Sequence, residues 1–180
     1  MRKNRCVLLD RDGVINYDSE EYIKSPAEWE AIPGSIEAIA RLYNAGFQIA
    51  VVTNQSGVGR GLYTEDDLIA INNKMLDALW QHEAVIECVY YCPHTPTDNC
   101  ECRKPKPGLI HKALWELRVE ARDCILVGDS ERDILAAHAG GVDAVLVETG
   151  NGLITKEILD DNVPVYTSLA AWTEDYLSWQ

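Results

Sequence analysis

The sequence predicts an α/β fold in which a central parallel β-sheet is covered by helices on both faces. Short apolar runs alternate with longer amphipathic segments along the chain, and this alternation of strand and helix is typical of open parallel sheets. The chain has 180 residues and contains no repeat, low-complexity tract or obvious linker. Because domains run to roughly 100–200 residues, we expect one three-layer domain over residues 1–180.

Five apolar runs are the predicted strands. Each is short and mostly apolar, as expected for a strand that is buried on both faces of a parallel sheet. They comprise residues 6–10, 47–53, 87–92, 124–129 and 144–149.

Four amphipathic segments are the predicted helices. In the first, apolar residues recur at helical spacing and Gly46 suits the C-terminal cap. In the second, Thr64 is the expected N-cap, and three acidic residues follow it to complement the helix dipole. In the third, Pro107 is expected at the first helical position. The four helices are predicted over residues 34–46, 64–82, 107–120 and 131–140.

The charge of the chain argues against a general nucleic-acid binder. Its formal net charge is -13 at pH 7, whereas nucleic-acid binding requires a basic face. An anionic small molecule remains a possible substrate if a local basic pocket opposes the overall field. The run that contains Arg103, Lys104 and Lys106 could supply such a pocket.

The apolar stretches are too short for a membrane protein or a secreted one. None reaches the about 20 residues that span a bilayer. Near the start, the apolar run over residues 6–9 is shorter than the roughly 7–15 residues of a signal peptide. We therefore expect a cytosolic protein without a membrane partner. Its six cysteines would stay reduced, which favours metal binding or catalysis over disulfides.

Chemically capable side chains follow several of the predicted strands. Asp10, Asp12, Thr53 and Asp129 lie at or just beyond strand ends, and Lys104 lies somewhat further on. Ligands bind in the crevice outside the carboxyl ends of such strands. Three carboxylates there indicate Mg²⁺, a hard cation that prefers oxygen ligands. A turn would explain Asp-Arg-Asp-Gly alone, but the second acidic strand end at Asp129 weakens that alternative.

The stretch that follows the second strand has the features of an anion-binding loop. Thr53 offers a hydroxyl, and the amides after it can form a concavity for an anion. Three glycines allow tight turns and close backbone approach. Arg60 points either at an anion or at solvent, and solvent is favoured from the sequence alone. The stretch lacks the Gly-Lys-Ser/Thr of a Walker loop.

A second metal site is predicted in the loop after the third strand. Cys92, His94, Cys100 and Cys102 provide three sulfurs and one nitrogen, a set that suits tetrahedral structural Zn²⁺. The one-residue intervals are shorter than usual, so free thiols or a disulfide are the alternatives. Zinc would close this loop over residues 92–102 and fix the position of Lys104 behind it. The other cysteines, Cys6, Cys88 and Cys124, are expected in the core.

Together these residues indicate phosphoryl transfer through a carboxylate. Asp10 would attack phosphorus, and Asp12 would protonate the leaving oxygen and then deprotonate the hydrolytic water. Thr53 and Lys104 would hold the equatorial oxygens. Asp133 is expected to support the metal waters or Lys104, with an ordinary acid at a helix N-terminus as the alternative.

Four stretches of this sequence, in order, resemble the motifs of the haloacid dehalogenase (HAD) superfamily of phosphatases: DRDGV, VVTNQSG, CRKPKPG and VGDSERD. The resemblance covers essentially the whole chain. It implies a Rossmann-like HAD fold without a cap domain and a cytosolic, monomeric enzyme. It implies that Asp10 is the nucleophile and Asp12 the acid and base. It also implies that Mg²⁺ binds to Asp10, to the backbone carbonyl of Asp12 and to Asp129. Thr53 and Lys104 would contact the phosphoryl group.

The stretch YYCPH…CECRKPKPG resembles a small zinc-containing branch of the superfamily. That branch acts on D-glycero-D-manno-heptose 1,7-bisphosphate, a lipopolysaccharide precursor, or on histidinol phosphate. The segments over residues 18–34 and 53–68 favour the heptose, from which the 7-phosphate is removed. Ser130 is a departure, because some relatives carry lysine there and use it to contact substrate. The substrate contacts implied here are Asp18, Ser19, Glu20, Glu21, Asn54, Gln55, Ser56 and Arg103.

The sequence disfavours two other functions. A zinc-stapled binding module without catalysis would not need the full set of residues named above. A nucleic-acid 3′-phosphatase is disfavoured by the acidic charge.

Overall fold

Six parallel strands form one sheet in the computed structural model, which describes residues 5–159 and 162–179. The strand order is β3-β2-β1-β4-β5-β6, and every neighbouring pair is parallel. The strands are β1 Cys6–Leu9, β2 Gln48–Asn54, β3 Cys88–Cys92, β4 Cys124–Gly128, β5 Asp143–Val147 and β6 Val165–Tyr166.

The helices lie between the strands and after the last one. They are α1 Ser35–Asn44, α2 Ser56–Gly59, α3 Glu65–Trp80, α4 Gly108–Leu117, α5 Glu131–Gly140, α6 Gly152–Ile158 and α7 Leu169–Ser178. Single turns of 3₁₀ helix occur at Pro26–Glu28, Pro96–Asp98 and Ala121–Asp123. None of the helices in the described part of the chain is both long enough and apolar enough to cross a membrane.

The alternation of side chains along β1 explains the three layers. Val7 and Leu9 point into a core that includes residues of α1, α3 and α7. Cys6 and Leu8 point into a second core on the other face, which includes residues of α4 and α5. All four residues of β1 are buried, so the strand carries apolar side chains on both faces, as a central parallel strand must.

The five predicted strands are confirmed, with ends that differ by one or two residues. The sixth strand was not predicted. Its two residues are only half-buried, and a run of that length carries no periodic signal. The helices α2, α6 and α7 were also not predicted.

The predicted cap of α3 is confirmed in detail. The Thr64 hydroxyl accepts a hydrogen bond from the Asp67 amide, and the Asp67 carboxylate accepts one from the Thr64 amide. This reciprocal pair satisfies two amides that the helix leaves unpaired. Gly46 follows α1 with a left-handed φ of 89° and allows the chain to turn into β2.

The helix α4 differs from its prediction at both ends. It begins at Gly108, so Pro107 lies at the N-cap rather than at the first helical position. It ends at Leu117 because Arg118 adopts a left-handed backbone, with φ 55°. Glycine usually occupies such a position, so the sequence gave no signal that the helix would stop there.

No cap domain lies over the carboxyl edge of the sheet within the described residues. The two segments that could carry one, residues 10–34 and 93–107, contain no element longer than a single helical turn. The site at this edge is therefore shaped by loops.

Replacing Arg118 by glycine is expected to raise the free energy of unfolding by about 0.5–1 kcal/mol. A left-handed backbone strains a residue that carries a Cβ atom, and glycine relieves that strain. Urea unfolding measures the change. The control is Arg122→Gly, because Arg122 is not left-handed and glycine there should lower stability. Equal losses in the two variants would contradict the explanation of where α4 ends.

Candidate active site

The carboxyl edge of the sheet gathers the residues that the sequence singled out. Asp10 directly follows β1, Thr53 is the next-to-last residue of β2 and Asp129 directly follows β4. Lys104 reaches the same place from the loop between β3 and α4. A cavity of about 260 Å³ opens above them, and Asp10 and Thr53 are among its lining residues. The predicted convergence at one edge of the sheet is confirmed.

Lys104 is a buried cation between two carboxylates. Only 1% of its surface is exposed. Its Nζ lies 3.1 Å from Asp10 Oδ1 and 2.6 Å from Asp133 Oδ1, and it donates a hydrogen bond of 2.8 Å to the carbonyl of Val52. Burial alone would lower the pKa of Lys104, but the charges of Asp10 and Asp133 outweigh it and raise the pKa above its ordinary value. The side chain therefore stays charged.

Asn54 holds the backbone of Lys104 in place. Its Oδ1 accepts a hydrogen bond of 3.1 Å from the Lys104 amide, and its Nδ2 donates one of 3.1 Å to the Lys104 carbonyl. Because Asn54 is the last residue of β2, the loop that carries Lys104 is tied to the sheet next to Thr53.

Three buried carboxylates lie close enough to share one cation. Oxygens of Asp10, Asp129 and Asp133 lie within 4.8 Å of one another. Burial raises the pKa of Asp10 to about 6. Burial, with the nearby charges of Asp10 and Asp133, raises the pKa of Asp129 to about 8. Asp129 Oδ1 is buried without a hydrogen-bond partner among the described residues. This set fits a hard divalent cation.

The side chain of Asp12 lines the same cavity but lies outside this carboxylate cluster, which corrects one expectation. The strand ends predict that the carboxylates of Asp10, Asp12 and Asp129 lie together, but Asp133 takes the third place in the cluster. The side chains of Asp10 and Asp12 diverge because β1 ends at Leu9 and the chain turns after it. The implied contact of a metal with the Asp12 backbone carbonyl stays a prediction.

The Asp12 carboxylate accepts hydrogen bonds from three side chains. Arg11 Nε and Nη2 donate at 3.0 and 3.1 Å, Asn16 Nδ2 at 2.9 Å and Gln55 Nε2 at 2.8 Å. Burial would raise the pKa of Asp12, but the charge of Arg11 and these hydrogen bonds hold it below its ordinary value. The group is therefore favoured in its ionised form in this arrangement.

Arg11 is the centre of a buried network that the sequence analysis missed. It is fully buried, and its guanidinium also donates to Asn72 Oδ1 at 3.0 Å and Gln55 Oε1 at 3.1 Å. Tyr63 donates to the same Gln55 oxygen at 2.7 Å, and Gln55 Nε2 donates to Thr53 Oγ1 at 3.0 Å. The signal for Asn72 was present, since this amide shares the apolar spacing of the buried face of α3.

Asp133 connects Lys104 to the start of α5. Its Oδ2 accepts hydrogen bonds from the amides of Asp129 and Ser130 and one of 2.6 Å from the Ser130 hydroxyl. Its Oδ1 faces Lys104. Of the two supporting roles expected for Asp133, the contact with Lys104 is therefore present. Ser130 is engaged as the N-cap of α5.

Asn151 is a further site residue that was not predicted. Its amide and Nδ2 donate to Asp129 Oδ2 at 2.8 and 3.1 Å, and Nδ2 also lies 3.1 Å from Asp18 Oδ2. It follows β5 within a few residues, so the strand-end argument used for Asp10 and Asp129 would have found it.

The rim of the cavity contains most of the substrate contacts that the resemblance implied. Asp18, Ser19, Glu20, Asn54, Gln55, Ser56, Arg60 and Arg103 line it, together with Tyr22, Ile23 and Arg132. Glu21 does not; it is exposed beside this segment. Arg60 is exposed and also faces the cavity, so the two alternatives for it coincide. Arg132 was missed by the sequence analysis.

The cysteines and the histidine of the loop form one compact group. Ligand atoms of Cys92, His94, Cys100 and Cys102 lie within 4.8 Å of one another. Sulfur–sulfur distances run from 3.2 Å for Cys92 and Cys102 to 3.6 Å for Cys92 and Cys100, too long for a disulfide. His94 Nδ1 lies 3.3 Å from the Cys102 sulfur. The group could hold one tetrahedral metal ion.

Comparison with known proteins identifies the family. The HAD-hydrolase-like family model matches residues 101–169. The D-glycero-β-D-manno-heptose-1,7-bisphosphate 7-phosphatase of Bordetella bronchiseptica is 43% identical over 175 residues, which cover 96% of this chain and 98% of that protein. The enzyme of that name from Pseudomonas aeruginosa is 44% identical over 166 residues, 92% of this chain and 93% of that protein. The chain belongs to the HAD-like phosphatases.

Solved structures agree with this assignment. The crystal structure of the B. bronchiseptica D,D-heptose 1,7-bisphosphate phosphatase, complexed with magnesium and phosphate, superposes with a TM-score of 0.94. It covers 98% of this chain and 99% of its own. The resemblance of the four sequence motifs to the HAD superfamily, and the fold it implied, are confirmed.

Replacing Asp133 by asparagine is expected to lower the free energy of unfolding by about 3 kcal/mol. The change keeps the shape of the side chain but removes one of the two charges that offset the burial of Lys104. Urea unfolding at neutral pH measures it. Glu131→Gln, an exposed acid in the first turn of the same helix, is the matched control and should change stability by less than about 0.5 kcal/mol. Equal losses of stability in the two variants would contradict the structural role of the ion pair between Lys104 and Asp133.

Proposed function

We propose that this phosphatase removes the 7-phosphate of D-glycero-D-manno-heptose 1,7-bisphosphate, a sugar precursor of lipopolysaccharide. The observation that carries the proposal is similarity along 96% of the chain to an enzyme of that name. The site supports it, because the cavity is lined by the buried carboxylate of Asp10, which contacts the buried Lys104, and by three arginines at its rim.

Magnesium is the metal proposed at the acidic cluster. The carboxylates of Asp10 and Asp129 and the free, buried Oδ1 of Asp129 fit its preference for oxygen ligands. When bound, Mg²⁺ neutralises charge on the phosphoryl group. Asp133 already pairs with Lys104, so we assign it to positioning rather than to direct coordination.

Asp10 is proposed as the nucleophile. One of its carboxylate oxygens attacks phosphorus, the bond from phosphorus to the sugar oxygen breaks, and Asp12 gives its proton to that oxygen. Water then attacks the aspartyl phosphate while Asp12 takes a proton from it. Phosphate leaves and Asp10 is restored. The hydrogen bonds from Arg11 and Gln55 favour ionised Asp12 in the substrate-free site, which is the form needed to accept the proton of water. The first step needs the protonated form, so Asp12 takes up a proton when the anionic phosphate binds beside it and raises its pKa.

Lys104 and Thr53 are proposed to hold the equatorial oxygens of the transferred phosphoryl group. Both are 1% exposed and both are fixed by neighbours, Lys104 by Asp133 and Thr53 by Gln55. Donors that are already oriented pay no reorganisation cost when charge develops in the transition state.

Zinc is the metal proposed at the group of three cysteines and one histidine. Four protein ligands leave no open position, which is the pattern of a structural site. Cys102 stands two residues before Lys104, so the metal would fix the start of the segment that delivers the lysine.

Phosphate release from the heptose bisphosphate and from histidinol phosphate, each with Mg²⁺, tests the substrate. We expect kcat/KM to favour the heptose bisphosphate by on the order of 100-fold, because a rim built for a second anion discriminates strongly against a substrate without one. Asp10→Asn is the control that should abolish release from both. Preference for histidinol phosphate would overturn the proposed substrate and leave the assignment as a phosphatase unchanged.

Magnesium is expected to raise the melting temperature more at pH 8 than at pH 6. The folded-state pKa values of Asp10 and Asp129, about 6 and about 8, lie above the unfolded value of about 3.9. These groups therefore stabilise the metal-free fold at low pH, and that contribution is lost as the pH rises through about 6 and 8. At pH 6 the cation must also displace a proton, so its apparent affinity should be about 10-fold or more weaker.

Thermal unfolding with and without Mg²⁺ at the two pH values measures this difference. Asp129→Asn is the control and should lose the magnesium effect at both. An equal increase in wild-type melting temperature at pH 6 and pH 8 would contradict the assigned site.

Replacing Cys100 by serine is expected to reduce bound zinc and to lower both stability and activity. A structural zinc contributes folding energy directly, so losing one ligand should cost at least about 2 kcal/mol. Elemental analysis, urea unfolding and phosphate release measure the three effects. Cys88→Ser is the matched control, because Cys88 lies in β3 outside the metal group. Full activity in a Cys100→Ser protein that holds no zinc would contradict the structural role.

A further inference from the structure

The two carboxylate oxygens of Asp129 have different surroundings. Asp129 is buried, and its Oδ1 has no hydrogen-bond partner among the described residues. Its Oδ2 accepts two hydrogen bonds from Asn151, one of 2.8 Å from the backbone amide and one of 3.1 Å from Nδ2. A buried polar atom without a partner is costly, so Oδ1 is the oxygen left for a cation.

The backbone of two glycines packs against the same Oδ2. A Cβ atom on Gly13 or on Gly150 would overlap Asp129 Oδ2, so both segments approach this oxygen as closely as only glycine permits. The Thr149 hydroxyl donates a hydrogen bond to the Gly13 carbonyl and ties the two segments together. Packing and hydrogen bonds therefore both keep Oδ2 in place, and the side chain of Asn151 is the part of this enclosure that a substitution can remove.

The orientation of the Asn151 amide is fixed by a second carboxylate. Its Nδ2 donates to Asp18 Oδ2 at 3.1 Å as well as to Asp129 Oδ2. Both partners are carboxylate oxygens, which accept hydrogen bonds when ionised, so the NH₂ group rather than the amide oxygen faces them. One turn into α6, the Thr155 hydroxyl donates at 3.1 Å to the Asp129 carbonyl. The start of α6 thus holds both the backbone and the side chain of Asp129.

We propose that Asn151 holds Asp129 as a ligand that offers one oxygen and thereby favours Mg²⁺ over Ca²⁺ at the active site. Mg²⁺ is small and requires a near-octahedral shell, whereas Ca²⁺ takes more oxygen ligands and often binds both oxygens of one carboxylate. Because Oδ2 is engaged by Asn151, binding through both oxygens is opposed. Asn151 is a positioning residue that acts through Asp129, and this role rests on the magnesium site of the proposed function.

Calorimetric titration of the protein with Mg²⁺ and with Ca²⁺, at one fixed pH, measures this preference as the ratio of the two dissociation constants. In Asn151→Ala, Oδ2 loses one donor and gains room to turn toward the cation. The Mg²⁺ dissociation constant should rise by about 10-fold or more, as is typical when a partner of a metal ligand is removed. The Ca²⁺ dissociation constant should change by less than about threefold, because Ca²⁺ can use the second oxygen.

Asn151→Asp gives a second readout that a general loss of structure would not produce. Its carboxylate adds an oxygen next to Asp129, which Ca²⁺ can use more readily than Mg²⁺. The preference for Mg²⁺ should therefore fall in this variant too, although it adds a negative charge near the cation. The matched control is Asn73→Ala, because Asn73 is an exposed amide on α3. It should leave both dissociation constants unchanged.

A ratio of dissociation constants that stays at the wild-type value in either Asn151 variant would overturn the role of Asn151 and leave the proposed magnesium site standing. Asp129→Asn separates that result from a failure of the site itself. If Asp129→Asn binds Mg²⁺ as tightly as wild type, the proposed magnesium site is wrong.

Discussion

The ion triad of Lys104 with Asp10 and Asp133 is the interaction on which the rest of the site depends. It joins three separate parts of the chain: the end of β1, the loop that carries the cysteines and the first turn of α5. A lone buried lysine would be costly, and so would either carboxylate without it. Together they keep the proposed nucleophile and the proposed phosphoryl-binding cation in contact before any substrate arrives, which is the arrangement that electrostatic catalysis requires.

The same balance of charge explains how an acidic protein can accept an anionic substrate. The formal net charge is -13, yet the charges that face the cavity are sorted. Buried carboxylates form a place for a divalent cation, and arginines occupy the rim. Binding would therefore depend on local placement of cations against the overall field. Loops shape the site, since no cap domain closes the described part of the cavity.

The sequence predicted the parts of the site that follow from strand ends and failed where tertiary contacts decide. Asp10, Thr53 and Asp129 were found because parallel strands bring their carboxyl ends together. The separation of Asp12 from the acidic cluster was missed, since it depends on how the chain turns after β1 and on the buried guanidinium of Arg11. The end of α4 at Arg118 and the two-residue β6 have no local signal. The group of three cysteines and one histidine could be predicted from its residue types and from their closeness in the sequence alone.

A double-mutant cycle between Lys104 and Asp133 tests the central claim most directly. The free energies of unfolding of wild type, Lys104→Met, Asp133→Asn and the double variant are measured in urea at neutral pH. Because the buried ion pair links the two residues, the account predicts a coupling of about 2 kcal/mol, with the double variant much less destabilised than the sum of the singles. Additive losses would contradict it and would show that Lys104 is held without Asp133.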